Sequence, residues 1–227
     1  MMYVGLTVGV VTGNVAAHAA GLNAFRAYAA TLLLIGPALL GSRMLHVALH
    51  WRFYRQNLRQ IWDGGEGGSA QYGGLPIVLP LSVPLLWALR LPFGAFWDMA
   101  LFTILVTMIF GRIGCLLNGC CVGRPSRSWM SVYLPNPSGV WEKRMPTQLL
   151  EAGWAAVLLV FSMYIWRWLP FPGALFLVIT GSYAAGRLVL ESTRAPAPGA
   201  GRFNIYHGMS VVIVVLSLAV LTARWGK

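Results

Sequence analysis

Long apolar segments recur along this chain, and they constrain its fold more than any other feature. Seven of them are long enough to form a membrane-spanning helix, which needs about 20 residues. They cover residues 1–20, 29–51, 73–90, 95–118, 147–169, 172–190 and 205–225. The pattern predicts an all-α membrane protein with about seven transmembrane helices, formed by residues 1–227 as a single polytopic domain.

The charge content supports this assignment. Only 10% of the residues are charged and 57% are hydrophobic, whereas a soluble domain carries about 25% charged residues. The net charge of +11 fits loops that meet anionic lipid headgroups. The sequence has no basic block interleaved with aromatic residues, so we expect the lipid bilayer as a partner and no nucleic acid.

The connections between the apolar segments alternate in length. Those after the second, fourth and sixth segments are long and rich in Gly, Pro and charge. With seven spans, the three long loops share one side of the membrane. Outside the spans or at their ends, that side carries nine Lys and Arg residues against five on the other. This count taken alone favours a cytoplasmic location for the long loops.

Arginines within or at the ends of the apolar segments mark a candidate polar site. Arg43, Arg112 and Arg187 lie there, although a charge at mid-bilayer costs about 2.5–3.5 kcal/mol. Arg187 and Glu191 have the i, i+4 spacing that places two side chains on one helix face. Two interpretations remain open: a buried ion pair that closes the bundle, or a polar cavity whose cations receive an anionic group such as phosphate.

The cysteines and two histidines form a second group of chemically active residues. Cys115, Cys120 and Cys121 lie close together, and His46 and His50 share a helix face. A zinc or haem site is one interpretation, but no CxxC or CxxCH spacing supports it. A reactive thiol is another. Because free cysteines often behave as small buried hydrophobes, we expect the three cysteines to pack, with no metal and no cofactor.

Five short segments of the chain are informative both in their residues and in the order in which they occur. They read IWDGGEGGSAQYGGL, GRIGCLLNGCCVGRPS, RMPTQLLEA, GRLVLESTR and YHGMSVVIVV. Together they resemble the ordered motifs of the prolipoprotein diacylglyceryl transferase family, and they cover nearly the whole chain. Seven spans are also the number found in that family.

The resemblance implies a reaction and its setting. The family transfers a diacylglyceryl group from phosphatidylglycerol to the lipobox cysteine thiol of a prolipoprotein and releases glycerol phosphate. The implied partners are phosphatidylglycerol and the prolipoprotein signal peptide. The implied location is the bacterial inner (cytoplasmic) membrane, with the long loops and the active site toward the periplasm. On the side of the long loops we follow the family rather than the charge count.

The residues that match the family's motifs form the predicted site. The catalytic positions are Arg112, Arg187 and Tyr72, and Tyr72 stands where the family has a histidine. The predicted substrate-binding residues are Asn118, Gly123, Arg124, Gly73, Gly74, Glu191, Gln148, His46 and His50. The two histidines are candidates for an alternative base, because a tyrosine with a pKa near 10 is a poor base at pH 7.

Departures from the family's motifs keep other functions open. Cys115 and Cys120 replace an Asn and a Glu of the signature. The alternatives are a related phospholipid-dependent transferase with another acceptor, and a non-catalytic lipid-binding or redox membrane protein that uses the cysteines. Arg112 has no acidic neighbour in sequence, so we expect it to be more exposed to substrate than Arg187, which has Glu191 one turn away.

Overall fold

The computed structural model describes residues 1–55, 61, 73–135, 139–194 and 205–225. Within these ranges the chain forms seven longer helices and one single-turn helix. They are α1 (Met2–Ala19), α2 (Ala24–Leu49), α3 (Trp51–Tyr54), α4 (Leu75–Ala88), α5 (Phe93–Leu117), α6 (Thr147–Ile165), α7 (Ala174–Glu191) and α8 (Ile205–Trp225). The seven longer helices coincide with the seven predicted apolar segments to within a few residues.

Five helices in the described ranges are long and apolar enough to cross a membrane. They are α2, α5, α6, α7 and the Tyr206–Arg224 part of α8. Helix α4 is apolar but has only 14 residues, and α1 is not among the five. The structure therefore confirms a helical membrane architecture, while the count of seven spans stays a prediction.

A β-hairpin in the connection after α5 departs from the all-helical prediction. Strand β1 (Val132–Pro135) pairs in antiparallel fashion with β2 (Trp141–Arg144), and Tyr133 lies opposite Lys143. The sequence VYLPNPSGVWEKR contains the signal for this hairpin, because aromatic and β-branched residues flank a turn-forming stretch. A search for apolar spans passes over such a short, polar segment.

The described chain divides into two compact units, Met1–Ala20 with Gly94–Lys227, and Gly21–Phe93. In the first unit, α1 packs against α5 through the glycines Gly5, Gly9 and Gly13. A Cβ atom at Gly5 or Gly9 would lie 2.5 Å from a side-chain atom of Phe110 or Thr107, and the Thr107 hydroxyl donates to the Gly5 carbonyl at 3.2 Å. Small residues four apart allow this close approach of two helices.

A buried carboxylate joins the starts of α5 and α7. Asp98 of α5 accepts hydrogen bonds from the backbone N–H groups of Gly173 at 2.6 Å and Phe176 at 2.8 Å. These are amides at the start of α7 that have no partner within their own helix. Arg112 follows Asp98 by 14 residues and Arg187 follows Gly173 by 14 residues. At about 1.5 Å per residue, both arginines lie roughly 21 Å along their helices from this joint.

In the second unit, α2 and the start of α4 approach each other closely. A Cβ atom at Gly73 would lie 2.5 Å from the Gly41 carbonyl oxygen, and a Cβ atom at Gly41 would lie 2.5 Å from the Gly73 carbonyl oxygen. At the start of α2, the Asn23 side chain accepts a hydrogen bond from the Arg26 N–H at 3.0 Å, which is the usual role of an N-cap residue. The contact between Gly41 and Gly73 therefore has a role in packing α2 against the start of α4.

Candidate active site

The carboxylate of Glu151 lies at the centre of a cluster of charged side chains. Glu151 belongs to the first turns of α6 and is 2% exposed. Its Oε2 lies 2.5 Å from Arg112 Nε of α5. Its Oε1 lies 3.0 Å from Arg187 Nη1 of α7 and 2.9 Å from Arg194 Nη2, three residues beyond α7. One carboxylate therefore binds three guanidinium groups from three parts of the chain.

A second carboxylate completes this set. Glu191 Oε2 lies 3.4 Å from Arg187 Nη2 and 3.8 Å from Arg194 Nε, which confirms the predicted Arg187–Glu191 pairing. We call these five residues, Arg112, Glu151, Arg187, Glu191 and Arg194, the arginine cluster. Its three guanidinium groups face two carboxylates, which leaves one positive charge. The cluster matches the ion-paired interpretation of the buried arginines, and a polar cavity that receives an anionic group stays a prediction.

The solvent exposures of Arg112 and Arg187 do not show the predicted difference between them. Arg112 is only 6% exposed, about as buried as Arg187, because Glu151 supplies a carboxylate from a helix that is distant in sequence. Arg194 has the most accessible side chain of the three arginines, at 22%.

The segment that follows α5 fixes the position of Arg194. Gly123 and Arg194 form a β-bridge, and the Arg124 N–H donates to the Thr193 carbonyl at 2.9 Å. The Gly123 carbonyl accepts from Arg144 Nη1 at 2.9 Å. A Cβ at Gly123 would lie 2.5 Å from Thr147 Oγ1, so only glycine allows this approach. Gly123 and Arg124 support the site through their backbones, and the Arg124 side chain is exposed.

Two neutral side chains near the cluster offer unused polar atoms. Gln148 is 1% exposed and donates from Nε2 to the Cys120 carbonyl at 2.7 Å. Its Oε1 and the hydroxyl of Tyr183 are buried without a hydrogen-bond partner among the described residues. Such atoms carry a desolvation cost of about 1–3 kcal/mol each, and a polar ligand offsets it. Asn118, by contrast, is exposed at the end of α5.

The three cysteines converge because of how α5 ends. The Gly119 N–H donates to the Leu116 carbonyl at 3.2 Å, and the Cys120 N–H to the Cys115 carbonyl at 3.0 Å. With Gly119 at φ +64°, this is a Schellman motif, which places the side chain of the third-last helical residue beside that of the third residue after the helix. Here those residues are Cys115 and Cys120. Cys121, at φ +59°, turns the chain again.

The sulfur atoms of Cys115, Cys120 and Cys121 all lie within 4.8 Å of one another. We call them the thiol cluster. Cys120 and Cys121 are exposed and Cys115 is partly exposed, so the expectation of buried packing cysteines is wrong. The turn that gathers them was readable in CLLNGCC, because an Asn-Gly pair at a helix end is typical of a C-terminal cap.

The two exposed thiols differ in acidity. A hydrogen bond from Cys115 lowers the pKa of Cys121 to about 5; partial burial opposes this effect, and the positive charges of Arg112 and Arg194 add to it. Partial burial raises the pKa of Cys120, and the neighbouring Cys121 charge raises it further. The pKa shifts of Cys120 and Cys121 therefore run in opposite directions.

The remaining predicted site residues lie in the second unit or outside the described residues. His46 and His50 have ring centroids 4.3 Å apart, and His50 Nδ1 lies 2.9 Å from the His46 carbonyl. Gly73 and Gly74 precede α4 in the same unit. Tyr72 lies outside the described residues.

Two members of the arginine cluster are absent from the sequence prediction. Glu151 ends the segment RMPTQLLE and Arg194 ends GRLVLESTR, and both segments were already noted for their resemblance to family motifs. The prediction weighed only charges inside or next to one apolar span. Partners 36 and 43 residues apart, as in Glu151–Arg187 and Glu151–Arg194, are not visible in such a local reading.

Comparison with known proteins places this chain in a family. A model of the prolipoprotein diacylglyceryl transferase family matches residues 1–223. The phosphatidylglycerol–prolipoprotein diacylglyceryl transferase of Dehalococcoides mccartyi strain 195 is 30% identical over 194 residues, which are 84% of this chain and 73% of that protein. The protein of the same name from strain CBDB1 is 32% identical over 170 residues, 73% of this chain and 64% of its own length. That from Clostridium botulinum strain Hall is 26% identical over 193 residues, 82% of this chain and 76% of its own length. The chain belongs to the prolipoprotein diacylglyceryl transferase family.

Proposed function

We propose that this protein transfers a diacylglyceryl group from phosphatidylglycerol to the lipobox cysteine thiol of a prolipoprotein and releases glycerol phosphate. The single observation that carries the proposal is the buried arginine cluster, held at the ends of apolar helices. Guanidinium groups bind phosphate through paired hydrogen bonds. Family membership supports the same reaction.

The cluster is suited to a leaving group whose negative charge grows during the reaction. Preorganised cations in a site of low dielectric stabilise such charge without having to reorganise. Glu151 holds three mutually repelling arginines in place before substrate arrives. Because one positive charge remains, a phosphate diester is attracted to the cluster, and a departing phosphate monoester with its additional charge is attracted more strongly.

The order of contacts follows from exposure. Arg194, with 22% of its side chain exposed, receives the phosphate first, and Arg112 and Arg187 then bind it while each keeps its contact with Glu151. The Tyr183 hydroxyl, which has no hydrogen-bond partner in the described part of the chain, can donate to a phosphate oxygen, and Gln148 Oε1 can accept from a glycerol hydroxyl. These contacts give the two neutral side chains a role in selecting a glycerol headgroup.

A base is needed to remove the proton of the acceptor thiol, because the thiolate is the nucleophile. Tyr72 takes the place of the family's histidine, and His46 and His50 are the alternative candidates. The rings of the two histidines lie close together, with centroids 4.3 Å apart. A neutral imidazole is able to accept a proton.

The membrane placement of this site follows from the proposed reaction. Phosphatidylglycerol enters sideways from the bilayer, and the prolipoprotein arrives with its signal peptide in the same membrane. We place the seven helices as spans of a single domain in the bacterial inner membrane, with the long connections and the arginine cluster toward the periplasm. The five apolar helices and the bacterial relatives support a multi-pass membrane protein.

Complementation tests the proposal and separates it from the alternatives. The chain is expressed in a strain depleted of its own transferase, and lipid attachment is followed on a reporter prolipoprotein. Restored growth with a labelled reporter is expected for the wild type and not for Arg112→Lys. Growth without labelling of the lipobox cysteine favours another acceptor. No rescue by a protein that accumulates in the membrane favours the non-catalytic reading.

A further inference from the structure

We propose that Cys115, Cys120 and Cys121 bind a zinc ion through three thiolates and leave its fourth position open for the thiol of the acceptor. The second part of this inference rests on the proposed function. The first part, the metal site, does not. Both follow from where the end of α5 places the thiol cluster.

The geometry of the cluster fits a tetrahedral zinc ion. Zn–S bonds of about 2.3 Å hold sulfur ligands roughly 3.8 Å apart. The three sulfur atoms already lie within 4.8 Å of one another, so small rotations about the side-chain bonds bring them to the metal. The Schellman motif fixes the backbone that carries Cys115 and Cys120, and this reduces the conformational entropy lost on binding.

The backbone at Cys121 adds a second indication. Its φ of +59° is uncommon for a residue with a side chain, and such conformations cluster at functional sites. A glycine would adopt this angle without strain. The cysteine at this position turns its sulfur toward the other two, and a ligand held by all three thiolates compensates for the strained backbone.

Charge complementarity favours a metal thiolate complex at this place. Three thiolates and Zn²⁺ carry one negative charge together, and a fourth thiolate raises this to two. The arginine cluster has a net charge of plus one, which attracts this negatively charged complex. Arg112 and Arg194 are close enough to act electrostatically on Cys121. Thiolate ligands are also those that select soft or borderline metal ions such as zinc over Mg²⁺ or Ca²⁺.

Three protein ligands and one open position are typical of catalytic zinc, whereas structural sites have four. Among the described residues of this unit, no His, Asp or Glu joins the three cysteines as a fourth ligand. The exposure of Cys120 and Cys121 leaves that side of the site open to an incoming group. A thiol that coordinates zinc loses its proton, which is the step that Tyr72 performs poorly as a base.

The resulting step balances without a redox partner. The acceptor thiol binds zinc as a thiolate and gives its proton to water. Its sulfur then forms a bond to the glyceryl carbon of phosphatidylglycerol, and the bond from this carbon to the phosphate oxygen breaks. The electron pair leaves with glycerol phosphate, whose charge rests on the arginine cluster. Zinc stays Zn²⁺ throughout, and the product thioether, a weaker ligand than the thiolate, leaves the metal.

Metal content and cobalt spectra test the site on the full-length protein in detergent. Wild-type protein purified with zinc present is expected to carry one zinc per chain, and Cys115→Ser, Cys120→Ser and Cys121→Ser each to lose it. Cobalt exchanged into the wild type is expected to show thiolate-to-cobalt charge transfer and the intense visible bands of a tetrahedral complex. Arg112→Lys is the matched control, since it alters the neighbouring cluster and is expected to keep the metal. Metal-free wild-type protein after zinc loading, or a disulfide between two of the cysteines in the isolated protein, overturns the site.

A lipobox peptide tests the open position. Adding a peptide with its cysteine to the cobalt protein is expected to shift the visible bands, whereas the same peptide with serine leaves them unchanged. Chelation of the metal is then expected to lower diacylglyceryl transfer to the level of the Cys121→Ser variant. Transfer that survives full metal removal overturns the role in catalysis. A wild type that binds cobalt through three thiolates, ignores the peptide and transfers no lipid keeps the metal site and overturns both the acceptor assignment and the proposed function.

Discussion

Glu151 is the residue on which the buried charges depend. It contacts Arg112, Arg187 and Arg194 at 2.5–3.0 Å from a position with almost no solvent access. Two buried ions at such distances stabilise each other only when both are present, and removing one partner costs about 3–5 kcal/mol. Glu151 is therefore expected to act on stability as well as on activity.

Glu151→Gln tests this expectation. The amide removes the negative charge that all three guanidinium groups contact, so the midpoint of thermal unfolding in detergent is expected to fall markedly. Glu142→Gln is the matched control: Glu142 pairs with Arg144 in the hairpin, and 35% of its side chain is exposed, so its loss is expected to lower the midpoint less than the loss of the fully buried Glu151. Equal midpoints for the two variants would show that Glu151 does not hold the cluster together.

Arg112→Lys and Arg187→Lys test the arginines as phosphate ligands. Lysine keeps the charge and loses the planar pair of donors. Losing one such donor costs about 2.7–4 kcal/mol, or roughly a hundredfold to a thousandfold in rate. Both variants are expected to accumulate in the membrane and to lose transfer of labelled lipid to that extent. Arg224→Lys, at an exposed position of α8, is expected to retain full activity, and a similar rate in all three variants would remove the arginines from the mechanism.

The sequence revealed only part of this site, for a physical reason. Arg112, Arg187 and Glu191 were predicted because a charge in an apolar span is costly and needs a local explanation. Glu151 and Arg194 were missed because their ion pairs join residues that are distant in sequence. Only the folded chain brings these charges together and offsets the cost of burying them. The same holds for the thiol cluster, whose convergence depends on the helix end at Gly119 and not on a recognised ligand spacing.

Helices α5, α6 and α7 determine where the charges meet. The Asp98 carboxylate ties α5 to the start of α7, and equal distances along the two helices place Arg112 and Arg187 at the same level. Glu151 lies near the start of α6 and reaches both arginines from there. A small displacement of one helix against another therefore separates the charged groups.

Gly186→Ala tests this dependence on helix packing. A Cβ at Gly186 of α7 would lie 2.5 Å from Trp154 Cε2 of α6, so α6 and α7 are expected to move apart next to Arg187. Gly153→Ala on α6 is the control, because nothing lies within 4 Å of a Cβ there. We expect Gly186→Ala to reduce both the unfolding midpoint and lipid transfer, and Gly153→Ala to reduce neither. Identical behaviour of the pair would contradict the packing assigned to Gly186.

At the scale of the whole molecule, the seven helices were predictable because apolar length alone specifies them. Apolar length does not identify the hairpin of β1 and β2, whose signal is the turn-forming stretch between aromatic and β-branched residues. The side of the membrane is a separate question. The count of basic residues favours the cytoplasm for the long connections, whereas the proposed reaction requires the periplasm. The count of basic residues includes Arg124, Arg144 and Arg194, although Arg144 and Arg194 form ion pairs in the structure.

Cysteine labelling decides the orientation. Ser128→Cys lies in the long connection after α5 and Arg167→Cys in the short one after α6, and both positions are exposed. A membrane-impermeant maleimide is added to intact cells with a permeable outer membrane. We expect Ser128→Cys to be labelled above the wild-type background and Arg167→Cys only after lysis. The reverse pattern would place the long connections in the cytoplasm.

The most direct test of the proposed chemistry follows both products of one reaction. Purified protein in vesicles receives phosphatidylglycerol labelled in its diacylglyceryl part and in its headgroup, together with a lipobox peptide. We predict that the peptide cysteine gains the diacylglyceryl label and that glycerol phosphate appears in equal amount, with no transfer to a serine peptide. Neither product from a folded wild-type protein, or glycerol phosphate released without labelled peptide, would contradict transfer to the lipobox thiol.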